Sequence, residues 1–157
     1  LHMLRVLMLD LRTMNEDPFT DMMRDFYTQY RGKQASTEDF RRVVERHVGG
    51  NMKWFFDQWV NGAAIPKYRV AYRSEQVDGG KYRMTLRVEQ QDVPEDFRVF
   101  IPVSVDLGDD RWARLRVEVR GSTSEIDLPL MPFEPKGIKF NDLEGVLAEA
   151  KMVKWRE

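Results

Sequence analysis

The sequence predicts an α+β protein: a helical first part, residues 1–62, followed by an all-β second part, residues 63–157. Two observations carry this. Apolar residues recur at a helical spacing up to Val60 and alternate one-by-one from Lys67 onward. Between the two regimes stands an aromatic block, Trp54-Phe55-Phe56-Asp57-Gln58-Trp59, closed by Asn61-Gly62 and Ala63-Ala64-Ile65-Pro66. Four rings in six residues are too many for one solvated helix face, so this helix needs cover on more than one side.

The first helix is expected over about His2 to Arg12, with Met3, Leu4, Leu7, Met8 and Leu11 on one face. Asp17 reads as an N-cap with Pro18 at the first helical position, where a missing N–H costs nothing. The second helix then carries Phe19, Met22, Met23, Phe26, Tyr27 and Tyr30 and stops at Gly32. A methionine-aromatic stripe of this kind is a core face rather than a ligand pocket. Ser36 and Asp39 have the spacing of a capping box for a third helix, whose inner face is Phe40, Val43, Val44 and His47. Gly49-Gly50 stops it, and the aromatic helix follows over about Asn51 to Val60.

In the second part Tyr68, Val70 and Tyr72 alternate with Arg69, Ala71 and Arg73. Asp78-Gly79-Gly80 is a hairpin turn. Tyr82, Met84, Leu86 and Val88 alternate with Arg83, Thr85, Arg87 and Glu89. Further strands follow from Phe97 to Val105, from Ala113 to Val119, and through Ile126, Leu128 and Leu130, with Pro129, Pro132 and Pro135 marking an edge. Short strands near Lys136–Phe140 and Lys151–Trp155 complete seven. Seven short antiparallel strands with one polar face point to an immunoglobulin-like β-sandwich, with the arginine rows as its solvated faces.

Composition excludes several classes of function. Lys+Arg 25 against Asp+Glu 26 gives a net charge of -1, without the basic excess that nucleic acid or an anionic membrane surface attracts. Cys 0 removes thiolate ligands, thiol nucleophiles and disulfides. No apolar run is long enough to span a bilayer as a helix. The compartment stays open. The only histidines are His2 and His47, with no helical-turn pair of the kind zinc peptidases use. No Gly-x-Ser-x-Gly and no phosphate-cradling glycine loop occurs. Glu16-Asp17, Glu38-Asp39 and Asp109-Asp110 sit at helix starts and turns, where capping explains them. No catalytic or metal-binding residue is therefore assigned. Because Leu1 falls inside an apolar periodic segment, a piece of a longer polypeptide is expected.

The residues also carry a family likeness. Tyr30-Arg31-Gly32-Lys33, Ala35-Ser36-Thr37-Glu38-Asp39-Phe40, Val44-Glu45, the block Trp54 to Trp59, and Gly62 with Pro66 resemble the end of the catalytic domain in zinc aminopeptidases of the aminopeptidase N family, the gluzincins. Leu1-His2-Met3-Leu4-Arg5 resembles the helix after that family's active-site tyrosine. Phe97-Arg98, Ile101-Pro102-Val103 and Phe140-Asn141-Asp142 resemble the β-sandwich that follows the catalytic domain. The resemblance covers nearly the whole chain. It implies that residues 1–62 are the end of a thermolysin-like catalytic domain. The parent would use zinc to remove N-terminal residues from peptides, and this segment would be a non-catalytic brace, inactive by itself. The family's zinc ligands, general-base glutamate and transition-state tyrosine all precede the matching region, so none is carried onto a residue here. Trp54, Phe55, Phe56, Trp59 and Pro66 are expected to form the structural joint between the two parts. The expected partners are the rest of the parent catalytic domain and, through it, peptide substrates, with self-association through the first helices if their apolar faces lie bare. The alternative is a β-sandwich protein-interaction module unrelated to peptidase activity, recruiting through an open strand edge or the arginine-rich face.

Overall fold

A computed structural model describes all residues from Leu1 to Glu157. The chain is α+β, with four helices preceding two β-sheets. It divides into two compact units, Leu1–Ala64 and Ile65–Glu157.

The helical unit contains α1 (His2–Met8), α2 (Asp17–Tyr30), α3 (Thr37–Val48) and α4 (Lys53–Trp59). Its buried centre is Leu4, Met22, Val43, Val44, Met52, Phe55 and Phe56, with Met3, Phe19, Met23, Phe26, Tyr30 and Phe40 packed around it. The first helix is shorter than its apolar spacing suggests. Leu9 is already extended, and the Asp10 carboxylate accepts the backbone N–H groups of Arg12 (2.9 Å) and Thr13 (3.3 Å). A short side chain that satisfies the backbone locally competes with the helical ladder. Leu9 and Leu11 are nevertheless buried, delivered by the turn rather than by a helix face.

Asp17 is the first residue of α2 and not its cap. Glu16 holds the cap position without capping the helix, its carboxylate pairing with Arg5 instead, while Asn15 Oδ1 accepts the Asp17 N–H at 2.9 Å. Tyr27, expected on the inner stripe, is exposed. The capping box of α3 is present: Ser36 Oγ accepts the Asp39 N–H (3.1 Å) and Asp39 accepts the Ser36 N–H (2.9 Å). His47 lies on the exposed side of α3 rather than inward. The aromatic helix is confined to Lys53–Trp59, because Asn51 Oδ1 takes the Lys53 N–H (2.8 Å) in a turn just before it.

The β unit contains β1 (Lys67–Val77), β2 (Lys81–Gln91), β3 (Arg98–Asp106), β4 (Trp112–Arg120), β5 (Thr123–Asp127), β6 (Gly137–Phe140) and β7 (Glu149–Met152). They form a four-stranded sheet ordered β5-β2-β1-β7 and a three-stranded sheet ordered β4-β3-β6. The β1–β2 hairpin turns through Asp78-Gly79-Gly80, with both glycines at positive φ (82° and 71°), a region that side chains disfavour. Alternation sets the buried faces: Tyr68, Val70, Leu86 and Val88 in one sheet, Val99, Ile101, Val103, Val105, Val117 and Val119 in the other. Tyr68 of β1 meets Phe140 of β6 edge to face, with ring centroids 5.6 Å apart, so the two sheets touch there.

Three features depart from the sequence expectation. The last strand is Glu149–Met152 and runs parallel to β1, with Lys67 opposite Glu149, so the strands are not all antiparallel. Pairing of β5 ends at Asp127. The Leu128 N–H still bonds the Met84 carbonyl (2.9 Å), Pro129 has no N–H to donate, and Met131 then exchanges two bonds with Tyr82 (2.8 and 3.0 Å). Pro102 and Ser104 of β3 are buried as well as their apolar neighbours, so this strand has no exposed face at its centre. Beyond β7 the chain continues as a strap. The Val153 N–H bonds to the Val70 carbonyl (2.8 Å), Trp155 lies between the guanidinium groups of Arg73 (4.7 Å) and Arg87 (4.0 Å), and Arg87 also holds the Arg156 carbonyl (2.7 Å).

Candidate functional site

The aromatic block builds the middle of the helical unit. On α4, Phe55 and Phe56 are 8% and 4% exposed, and Trp54 and Trp59 pack half-buried against the same cluster. The rings form a chain in space: Phe26 meets Phe40 edge-on (5.0 Å), Phe40 meets Phe56 (6.1 Å), Phe56 meets Phe55 (5.7 Å), and Phe55 meets Trp54 (5.7 Å). Tilted and edge-on contacts at these distances add to the gain from area burial. Trp54, Phe55, Phe56 and Trp59 are thus brought together by one helix. Pro66 is not part of that cluster. It is buried in the other unit just ahead of β1, where its carbonyl accepts the Glu149 N–H (3.1 Å).

A polar frame fixes α4 in place. Arg41 of α3 bonds Glu38 through Nε (2.9 Å) and Glu45 through Nη1 (2.9 Å). Glu45 in turn accepts the Met52 N–H (3.0 Å), tying the end of α3 to the start of α4. Lys53 and Asp57 pair along α4, and that hydrogen bond holds the Asp57 carboxyl below the usual range.

Two further polar clusters are the natural places to look for chemistry. His47 Nε2 lies 3.0 Å from Asp25 Oδ2, and Arg46 reaches both Asp25 (3.2 Å) and Gln29 (2.8 Å). The His47 and Arg46 bonds hold the Asp25 carboxyl low, but no nucleophile or third acid-base group completes the set. In the β unit Gln90 is 5% exposed and fully engaged. Its Oε1 accepts the Tyr68 hydroxyl (3.0 Å), and its Nε2 donates to the carbonyls of Phe97 (3.2 Å) and Gly121 (3.0 Å). Burial pushes the Tyr68 phenol well up. The sequence reading missed this network, although its signal was present: Gln90 continues the even-numbered apolar row Met84, Leu86, Val88 with an amide. A buried amide with every partner in place specifies register rather than performs catalysis.

One depression, about 500 Å³, opens beside the end of α3 and is lined by Arg42, Glu45, Arg46, Gly50 and Asn51. It is open to solvent and has no hydrophobic or aromatic side chain in its lining, unlike a ligand pocket. Zinc can also be tested against the donors present. No group of three or more His, Cys, Asp or Glu side chains comes together. Tetrahedral zinc needs three or four converging donors, so these residues do not fit the metal, and no step is derived through it. No helix is long and apolar enough to cross a membrane.

No protein-family model matches the chain, and no curated protein does. Among solved structures the chain is similar to Legionella pneumophila aminopeptidase A, crystallised in complex with aspartic acid, with a TM-score of 0.69 and 18% sequence identity. The likeness covers 96% of this chain and 17% of that one. At this identity the shared property is the fold: this chain spans about a sixth of the neighbour's length.

Proposed function

We propose that this chain is a non-catalytic C-terminal segment of a zinc-dependent aminopeptidase of the aminopeptidase N family. In this reading the helical unit is the rear of the catalytic domain, and the β unit is an immunoglobulin-like sandwich that braces it. The observation that carries the proposal is the fold likeness, which runs through nearly the whole chain and matches a minor stretch of an aminopeptidase. The sequence motifs quoted above point the same way independently. Two sheets of four and three strands with opposed buried faces suit the sandwich reading, although the parallel β7 departs from an all-antiparallel scheme. The metal and the acid-base groups of the whole enzyme would be supplied by other residues, and peptides would be its substrates.

The work assigned to this segment is mechanical, with Trp54, Phe55, Phe56, Trp59 and Pro66 as the proposed joint. The test uses residues 1–157 as they stand, assayed for bound zinc and for hydrolysis of an aminoacyl chromogenic substrate, then unfolded by heat. Neither zinc nor turnover is expected. A Trp59→Ala variant is expected to lower the midpoint of the helical and the β signals together. Turnover by residues 1–157, or a helical signal that shifts alone, refutes the brace.

A second reading, a protein-interaction module, is favoured by one observation. The strands at three of the four sheet edges have four or five residues, whereas β4 has nine and is paired on one side only. A long open edge can accept an added strand. Capture of a defined partner that is lost when a proline is placed in β4 would support this reading over the brace.

A further inference from the structure

The exit of α4 carries a chemical liability built into its geometry. Val60 and Asn61 both donate their N–H groups to the Phe56 carbonyl (3.0 Å each), closing the helix, and Gly62 follows. A Cβ at Gly62 would lie 2.7 Å from the Gln58 carbonyl oxygen and 3.0 Å from that of Asp57, so only glycine fits there. Asn61 and Gly62 are both exposed, and the Gly62 N–H meets no acceptor of the chain. The fold therefore requires glycine after Asn61, at a solvated site whose amide nitrogen is unengaged.

We infer that Asn61-Gly62 is a site of spontaneous backbone modification, converting to aspartyl and isoaspartyl linkages through a succinimide. The Gly62 nitrogen, after losing its proton to solvent base, attacks Cγ of Asn61. The N–Cγ bond forms, the Cγ–Nδ2 bond breaks, and the nitrogen leaves as ammonia after taking a proton from water. Water then opens the five-membered ring at either carbonyl. One opening leaves aspartate. The other routes the main chain through the former side chain, adding one backbone carbon. No enzyme, metal or oxidant is needed.

The other asparagines form an internal control. Each is followed by a residue whose Cβ hinders attack, and each has its side chain tied down. Asn15 accepts the Asp17 N–H (2.9 Å), Asn51 accepts the Lys53 N–H (2.8 Å), and Asn141 clamps both the N–H and the carbonyl of Val146 (2.9 Å each). The Asn61 side chain bonds the Asp57 carboxylate, but its Oδ1 holds no backbone N–H as those of Asn15, Asn51 and Asn141 do. The product places a new negative charge next to Asp57, at the helix end whose unpaired carbonyls already disfavour it. The isoaspartyl form also lengthens the connection from α4 to β1. Ageing at this bond would thus loosen the end of the helical unit and make the chain a substrate for isoaspartate carboxyl methylation.

The experiment is incubation of the folded protein in warm, mildly alkaline buffer, alongside a synthetic peptide spanning residues 57–66. Peptide mapping by mass and enzymatic methylation of isoaspartate are the readouts. Among the asparagines conversion is expected at Asn61 alone, at a rate within about tenfold of the free peptide, since frayed helix ends open at almost no cost. Asn61→Gln should abolish the mass gain and the methylation mapped to the peptide that contains residue 61, leaving any methylation at Asp78-Gly79 unchanged, and keep the melting temperature of fresh protein. An unmodified Asn61 in protein incubated until the peptide has converted, or equal conversion at Asn15, Asn51 and Asn141, overturns the inference.

Discussion

Replacing Gln90 by leucine tests whether the β unit is held by a dry polar clasp or only by apolar packing. Leucine keeps most of the volume and removes both ends of the amide. The substitution strands the Tyr68 hydroxyl, which is almost wholly buried (2% exposed), together with the Phe97 carbonyl and the partly buried Gly121 carbonyl. Each buried polar group left without a partner costs about 1–3 kcal/mol. The Gly121 carbonyl can recover water, which leaves two full penalties and a net loss of roughly 3–4 kcal/mol after the added apolar burial is credited. Tyr68→Phe strands the buried Gln90 Oε1 but leaves the amide nitrogen its two carbonyls, so a smaller loss of about 1–3 kcal/mol is expected. Urea unfolding followed by far-UV dichroism and by tryptophan fluorescence, in a Trp54→Phe/Trp59→Phe background so that only Trp112 and Trp155 emit, gives both values. The double variant should cost less than the sum, because Tyr68→Phe removes in advance a group that Gln90→Leu would strand. A Gln90→Leu protein within about 0.5 kcal/mol of wild type, the spread of ordinary surface changes, refutes the clasp.

Other outcomes follow from the same geometry. Phe56→Ala empties a site 4% exposed and should cost about 3–5 kcal/mol by thermal or urea unfolding; Trp59→Ala, only half-buried, should cost less. Ser36→Ala removes the acceptor for the Asp39 N–H and should cost about 1 kcal/mol, with loss of helical dichroism on mild heating. The raised Tyr68 pKa means the unfolded chain gives up this proton first. Stability is therefore unaffected below about pH 10 and falls as pH rises above it, by up to about 1.4 kcal/mol per pH unit, and Tyr68→Phe should remove that slope. Asp25 and Asp39 act in the opposite direction. Their lowered pKa values contribute stability above the ordinary aspartate range, near pH 4, that is lost as pH falls through the folded values; acid titration of the helical signal checks this.

What could be read in advance was local. The switch of period at Lys67, the Ser36–Asp39 cap and the Asp78-Gly79-Gly80 turn each depend on residues a few positions apart, and each is where the spacing placed it. The early stop of α1 was also local, but hidden by the apolar row, which continues through Leu9 and Leu11 while Asp10 diverts the backbone. The parallel seat of β7 has no local signal, because Glu149 finds Lys67 only after the whole unit has folded back. Burial of Pro102 and Ser104 is equally invisible to a two-residue period. For the candidate site, the ring cluster was legible from composition alone, whereas Pro66 sits in the other unit and outside that cluster.

The parallel seat of the last strand has a consequence for biosynthesis. A ribosome delivers β1 first, yet one edge of β1 stays bare until Glu149–Met152 and the Trp155 strap emerge from the exit tunnel. Between synthesis of β1 and of Glu149–Met152 the growing polypeptide therefore carries an unfinished sheet border, the kind of surface that holdase chaperones cover and that neighbouring nascent chains can invade. A variant of this chain truncated before Glu149 should accumulate as aggregates, while the chain that carries Glu149 to Trp155 stays dispersed.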